Sequence, residues 1–174
     1  MSTTETGYEI ENRVASSKLR TFDLEQLYTK GERYKLDIAP WLLEGLVLQE
    51  SKFRKHAKAH DWSQYQDGYL CLNCSSDAII PSWAYMLLST YSSEFAKKTI
   101  VGTREVLETL LFADVIKDLD VSAYKDSPVI VKGCSNKPVP QNAYVAIINK
   151  LQPVAKSLMF GEACSSVPLY KRKK

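Results

Sequence analysis

Three cysteines sit in one local pattern. Tyr69–Leu72 is an apolar run followed by Asn73-Cys74-Ser75-Ser76-Asp77. Val129–Lys132 is followed by Gly133-Cys134-Ser135, and Ala155–Phe160 by Gly161-Glu162-Ala163-Cys164-Ser165-Ser166. Each run reads as a buried strand that stops at a Cys-Ser pair. If the three strands are parallel neighbours, Cys74, Cys134 and Cys164 meet at the carboxyl edge of one sheet, where open α/β sheets hold their ligands. Three thiolates can hold zinc, with Asp77 or His60 as the fourth ligand, or an iron–sulfur cluster. The spacing, 60 residues and then 30, matches no zinc-ribbon or ferredoxin pattern, so the metal reading rests on topology. A lone cysteine is otherwise a small buried apolar residue.

His60 is the main ligand or acid–base candidate outside the cysteines. Its plain alternative is a surface histidine favoured by a helix C-terminus. His56 lies four residues earlier on the same helical face, in a lysine-rich stretch. Asp77 can equally be a carboxylate at a helix start. Cys71 lies within its strand and reads as core. Cys71 and Cys74 have C-x-x-C spacing, but a strand puts them on opposite faces, which argues against a redox pair. A second chemistry remains open, with Cys74 ahead of a helix as thiolate nucleophile and His60 as base. No G-x-S-x-G, P-loop or G-x-G-x-x-G motif is present.

The elements that must position these residues are legible in outline. Arg13–Leu19 and a piece from Phe22 to Lys30 read as short helices. Arg33–Ile38 alternates as a half-buried strand, and Ser51–Ala59 forms a helix. Strands follow at Tyr69–Leu72, Thr99–Val101, Val129–Lys132 and Val154–Phe160. Helices intervene at Pro81–Tyr91, Arg104–Leu119 and Pro140–Leu151. This β-α-β-α-β-α-β order predicts an α/β fold, a single domain with a mostly parallel sheet flanked by helices and an N-terminal α+β extension. Residues 1–11 read as a flexible N-terminus, 12–170 as the domain and 171–174 as a basic tail. No repeat at a fixed period is evident.

Composition narrows the class. The 174 residues are 45% hydrophobic, enough for a real core. The net charge is +3, yet Lys171, Arg172, Lys173 and Lys174 alone supply four positive charges, so the body lacks a nucleic-acid footprint. No apolar run reaches the roughly 20 residues of a membrane helix, and no signal peptide is apparent. The expectation is a cytoplasmic protein with reduced thiols and neither nucleic-acid nor membrane partners. Oligomeric state is left open.

His60–Tyr65 (HDWSQY), Cys74–Met86 (CSSDAIIPSWAYM), Lys132–Pro140 (KGCSNKPVP) and Lys150–Lys171 resemble an uncharacterised bacterial family, domain of unknown function 2480, from about Glu9 onward. The resemblance implies a Bacteroidetes-type protein found among iron–sulfur assembly genes, with those assembly proteins as partners, and no established activity. It carries the motif cysteines onto Cys74, Cys134 and Cys164, with Asp77 and His60 beside them. Three functions follow: a metal or iron–sulfur protein, a thiol enzyme, or an interaction protein with structural cysteines.

Overall fold

Strands form where short apolar runs end in turn residues, and helices where apolar residues recur at helical spacing. The computed structural model describes residues 19–133, 136–162 and 165–173. In order these form β1 (Arg20–Asp23), β2 (Arg33–Asp37), α1 (Glu50–Ala59), β3 (Tyr69–Asn73), α2 (Ser82–Ser92) and β4 (Lys98–Val101). There follow α3 (Arg104–Asp118), β5 (Pro128–Lys132), α4 (Gln141–Leu151), β6 (Ser157–Glu162) and β7 (Ser165–Lys171). The architecture is α/β, with a mostly parallel sheet flanked by helices. The piece after Phe22 is strand β1 and a 3-10 turn at Leu24–Leu27 rather than a short helix. Of the expected helix Arg13–Leu19, residues 13–18 lie outside the described residues, as does the reading of residues 1–11 as a loose terminus, and Leu19 is not helical. No described helix is long and apolar enough to cross a membrane.

The strands divide into two sheets. One has the order β2-β3-β4, all parallel. The other has the order β1-β5-β6-β7, parallel except that β7 runs antiparallel to β6. The strand that leads to Cys74 is therefore in a different sheet from those that lead to Cys134 and Cys164, and a single edge shared by all three is replaced by two edges. Edge strand β7 tolerates Pro168, since an edge position can spare an N–H. Its last residue is Lys171, and the Arg172 Nη1 donates to Asp126 Oδ1 at 2.6 Å, so the basic tail is anchored as far as Arg172.

Alternation in β3 explains why the whole strand is apolar. Leu70 and Leu72 pack with α1 and α2, through Phe53, Ala57, Ala84 and Leu88. Tyr69 and Cys71 face the other way, against Leu107 and Leu111 of α3. The opposite flank of α3 carries Phe112 and Ile116 into the core of the second sheet, with Val129, Val131, Leu158 and Ile147. One helix thus serves two cores. Its buried apolar stripe is Leu107, Leu111, Phe112 and Ile116, while Val106 and Leu110 are exposed.

The two sheets are built by one repeated unit, offset by 59 residues. Tyr69 of β3 matches Pro128 of β5, Ser82 of α2 matches Gln141 of α4, and Lys98 of β4 matches Ser157 of β6. Helices α1 and α3 end at the matching residues Ala59 and Asp118. The match reaches individual hydrogen bonds. Asp67 N donates to Phe95 O and Asp126 N to Val154 O; Lys97 N donates to Gly68 O and Lys156 N to Ser127 O. Asp67 and Asp126 share positive φ, 59° and 52°. Asp61 accepts from Ser63 N as Asp120 accepts from Ser122 N. The buried pairs Phe53 and Phe112, Ala84 and Ala143, and Leu88 and Ile147 also match. The second unit is split. Its first strand, β1, precedes the whole first unit, and the rest resumes at α3.

Arg33 of β2 and Glu108 of α3 form the buried tie between the units. Arg33 Nε lies 2.8 Å from Glu108 Oε1 and Nη2 3.2 Å from Oε2, with side chains only 3% and 4% exposed. Arg33 Nη2 also donates to Thr29 O at 2.7 Å, and Nη1 to Gly31 O. Burial acts to lower the Arg33 pKa, but the Glu108 hydrogen bond and charge outweigh it and the pKa is raised. Removing one member of such a pair leaves an uncompensated buried charge. Glu108→Ala should cost about 3–5 kcal/mol in urea melts, whereas Arg33→Met with Glu108→Leu should recover most of that loss.

Candidate functional site

The carboxyl ends of β2 and β3 are joined by polar contacts. Asp37 Oδ1 accepts from Ala39 N at 3.1 Å and from Ser75 N at 3.0 Å. The Ser75 hydroxyl is the main cause of a lowered Asp37 pKa, followed, against a small burial penalty, by the two backbone N–H groups and the Lys35 charge. Ile38 N donates to Asn73 O at 2.8 Å. Asp37 thus pins the turn that carries Cys74. The half-buried Cys74 packs on the core under α1 and α2, with its Sγ 3.2 Å from Ser76 Oγ. Tyr85, in the first turn of α2, has its pKa raised by burial and by the neighbouring Cys74 charge. Asp77 lines a separate open cavity of about 560 Å³ with Leu46, Val47 and Ile79.

The second unit builds the same edge with different residues. Gly133 matches Cys74, and Tyr144 matches Tyr85. A Cβ on Gly133 would come within 2.9 Å of the Tyr144 hydroxyl, which would have to shift to admit it. Asp23, at the end of β1, accepts from Glu25 N at 3.0 Å and lies 3.6 Å from Lys132 Nζ. Glu25 Oε1 accepts from Asn136 N at 3.0 Å. Asp23, Glu25, Lys132, Gly133 and Asn136 surround a polar recess of about 70 Å³. Cys134 and Cys164 themselves lie outside the described residues. Their strands, β5 and β6, are parallel neighbours, with Val131 opposite Phe160.

His60 belongs to a different place. It follows α1, which leads into the amino end of β3, whereas Cys74 follows the carboxyl end. The chain therefore puts them at opposite ends of one strand, and the pairing of His60 as base with Cys74 is not formed. His60 Nε2 is 2.8 Å from the Tyr65 hydroxyl and 3.3 Å from Gln64 Nε2. The rings of Trp62, Trp41 and Tyr65 surround it at 4.8, 5.4 and 5.6 Å. His56 stacks on Trp41 at 5.8 Å. In the second unit the residue matching His60 is Leu119, so this position is one of aromatic and aliphatic packing. Among the described residues no group of three His, Cys, Asp or Glu side chains could hold a metal, so Cys74, Asp77 and His60 form no such group.

A feature that sequence reading missed lies on the other face of the first sheet. Arg33, Lys35, Cys71 and Asn73 line a cavity of about 340 Å³ closed by Gly102, Thr103 and Arg104 at the start of α3. Only the β2 alternation hinted at it, by placing Arg33 and Lys35 on one side.

The chain matches the family described as protein of unknown function, DUF2480, over residues 8–172. It belongs to that family. No curated protein and no solved structure matches it.

Two outcomes follow for this family member. Burial pushes the His60 pKa below its usual 6.5, against a smaller opposing effect of Asp61. The unfolded chain then takes up the proton first, so the His60 contribution is fully present above about pH 6.5 and is lost as pH falls through and below that value. His60→Leu, copying Leu119, should flatten the stability–pH curve between pH 5 and 7 in urea melts. Cys71 is 3% exposed, and burial and then the Glu108 charge raise its pKa, against an opposing effect of Arg104. In native protein a thiol reagent should modify Cys74 at least tenfold faster than Cys71, read by peptide mass spectrometry.

Proposed function

We propose that the protein binds a metal ion or an iron–sulfur cluster at the carboxyl ends of β5 and β6, with Cys134 and Cys164 as the thiolate ligands. The observation that carries this reading is the parallel adjacency of β5 and β6. Cys134 and Cys164 follow the last paired residues, Val131 and Phe160, by three and four positions. Neighbouring strands lie about 4.8 Å apart, so ligands leaving adjacent strand ends can reach one ion. The neighbouring carboxylates Asp23 and Glu25 border the recess at Gly133 and supply oxygen donors of the kind zinc and iron accept. Cys74 is left out of the ligand set because its strand is in the other sheet. A cytoplasmic role in cluster assembly, with assembly proteins as partners, accords with such a site. The thiol-enzyme reading would need a base for Cys74 other than His60.

The test is anaerobic purification without chelator, followed by assay of zinc, iron and acid-labile sulfide. About one ion or cluster per chain is expected, lost in Cys134→Ser and in Cys164→Ser and kept in Cys74→Ser. Metal-free wild-type protein, or content unchanged by both substitutions, overturns the proposal.

A further inference from the structure

The cavity behind β3 carries more positive charge than its neighbours neutralise. Three cations line it, Arg33, Lys35 and Arg104. One buried carboxylate, Glu108, faces them, and Arg33 already holds both of its oxygens. Arg104 reaches the same carboxylate only at 3.9 Å, with its own side chain 65% exposed. Lys35 makes no ion pair among the described residues. Asp37, whose carboxylate feels the Lys35 charge, accepts through Oδ1 from Ala39 N and Ser75 N. Lys35 and Arg104 therefore flank the recess as two cations held only by charge, Lys35 by Asp37 and Arg104 by Glu108 at 3.9 Å, and neither side chain makes a hydrogen bond among the described residues.

The remaining lining suits an anion. Asn73 ends β3 inside the cavity, and Thr103 caps α3 there. Helix α3 is 15 residues long, and its positive end adds to the two side-chain charges. The space, about 340 Å³, is within the range of small-molecule sites and too large for a bare oxyanion to fill. The site arises where α3, which belongs to the second unit, crosses the back of the first sheet.

We propose that this cavity binds a small molecule bearing a phosphate group, held between Lys35 and Arg104 at the start of α3. Arginine suits two-point contact with phosphate oxygens, and lysine supplies a mobile point charge. The Cys71 thiol in the wall is buried and is assigned no role in this binding.

Calorimetric titration of the full chain with inorganic phosphate, pyrophosphate and adenosine monophosphate tests this, in parallel with Lys35→Gln, Arg104→Gln and the control Lys52→Gln on exposed α1. Saturable binding of at least one probe is expected, weakened about tenfold by each of the first two substitutions, unaffected by the control, and falling as salt rises. Tighter binding of the nucleotide than of phosphate would assign the ligand as an organic phosphate; equal binding would assign free phosphate. No binding of any probe, or binding unchanged in both Lys35→Gln and Arg104→Gln, overturns the proposal. Equal melting temperatures of the variants separate lost binding from lost folding. Since Cys134 and Cys164 are not involved, failure here leaves the metal proposal untouched.

Discussion

The structure depends on one helix having to satisfy two cores at once. Helix α3 turns Leu107 and Leu111 to the first sheet and Phe112 and Ile116 to the second. Glu108 lies between those apolar pairs and is buried with them. A carboxylate there is tolerated only with a cation in good geometry, and Arg33 supplies it. The same guanidinium donates to the carbonyls of Thr29 and Gly31, in the link where the chain leaves the second unit's first strand and enters the first unit. The ion pair therefore sets how the two units meet.

Duplication separates what the scaffold needs from what each half adds. Asp67 and Asp126 hold the same turn with positive φ, and Asp61 and Asp120 make the same cap. These are structural constants. The strand ends differ: Cys74 stands where Gly133 lies close under the Tyr144 hydroxyl. His60, ringed by aromatic side chains, stands where Leu119 suffices. A residue that a duplicate replaces by leucine in the same setting is better explained by packing than by catalysis. Trp62 reinforces this, since it donates from Nε1 to Ala57 O and stacks on Tyr91.

The two units also distribute charge unevenly. The end of β5 gathers Asp23 and Glu25 with Lys132, whereas the first sheet's back face gathers Arg33, Lys35 and Arg104 around the start of α3. The shared helix packs on both cores, and its N-terminal end lines the cavity behind β3.

By itself the sequence determined most elements. Period-two and helical spacing mark β2, β3, β5 and α1 to α4 within a residue or two, because those signals come from neighbours along the chain. It also marked Cys71 as core. It could not reveal the two-sheet division, because an apolar strand such as Tyr69–Leu72 looks the same whichever strands pair with it. The duplication was hidden because the matched positions keep shape rather than identity, and Cys74 and Cys134 are 60 residues apart while the units repeat at 59. Only tertiary structure decided that His60 and Cys74 lie at opposite ends of β3. It alone decided that Lys35 and Arg104, far apart in the chain, flank one cavity. Sheet pairing and helix crossing are long-range packing choices, and residue spacing along the chain carries no record of them.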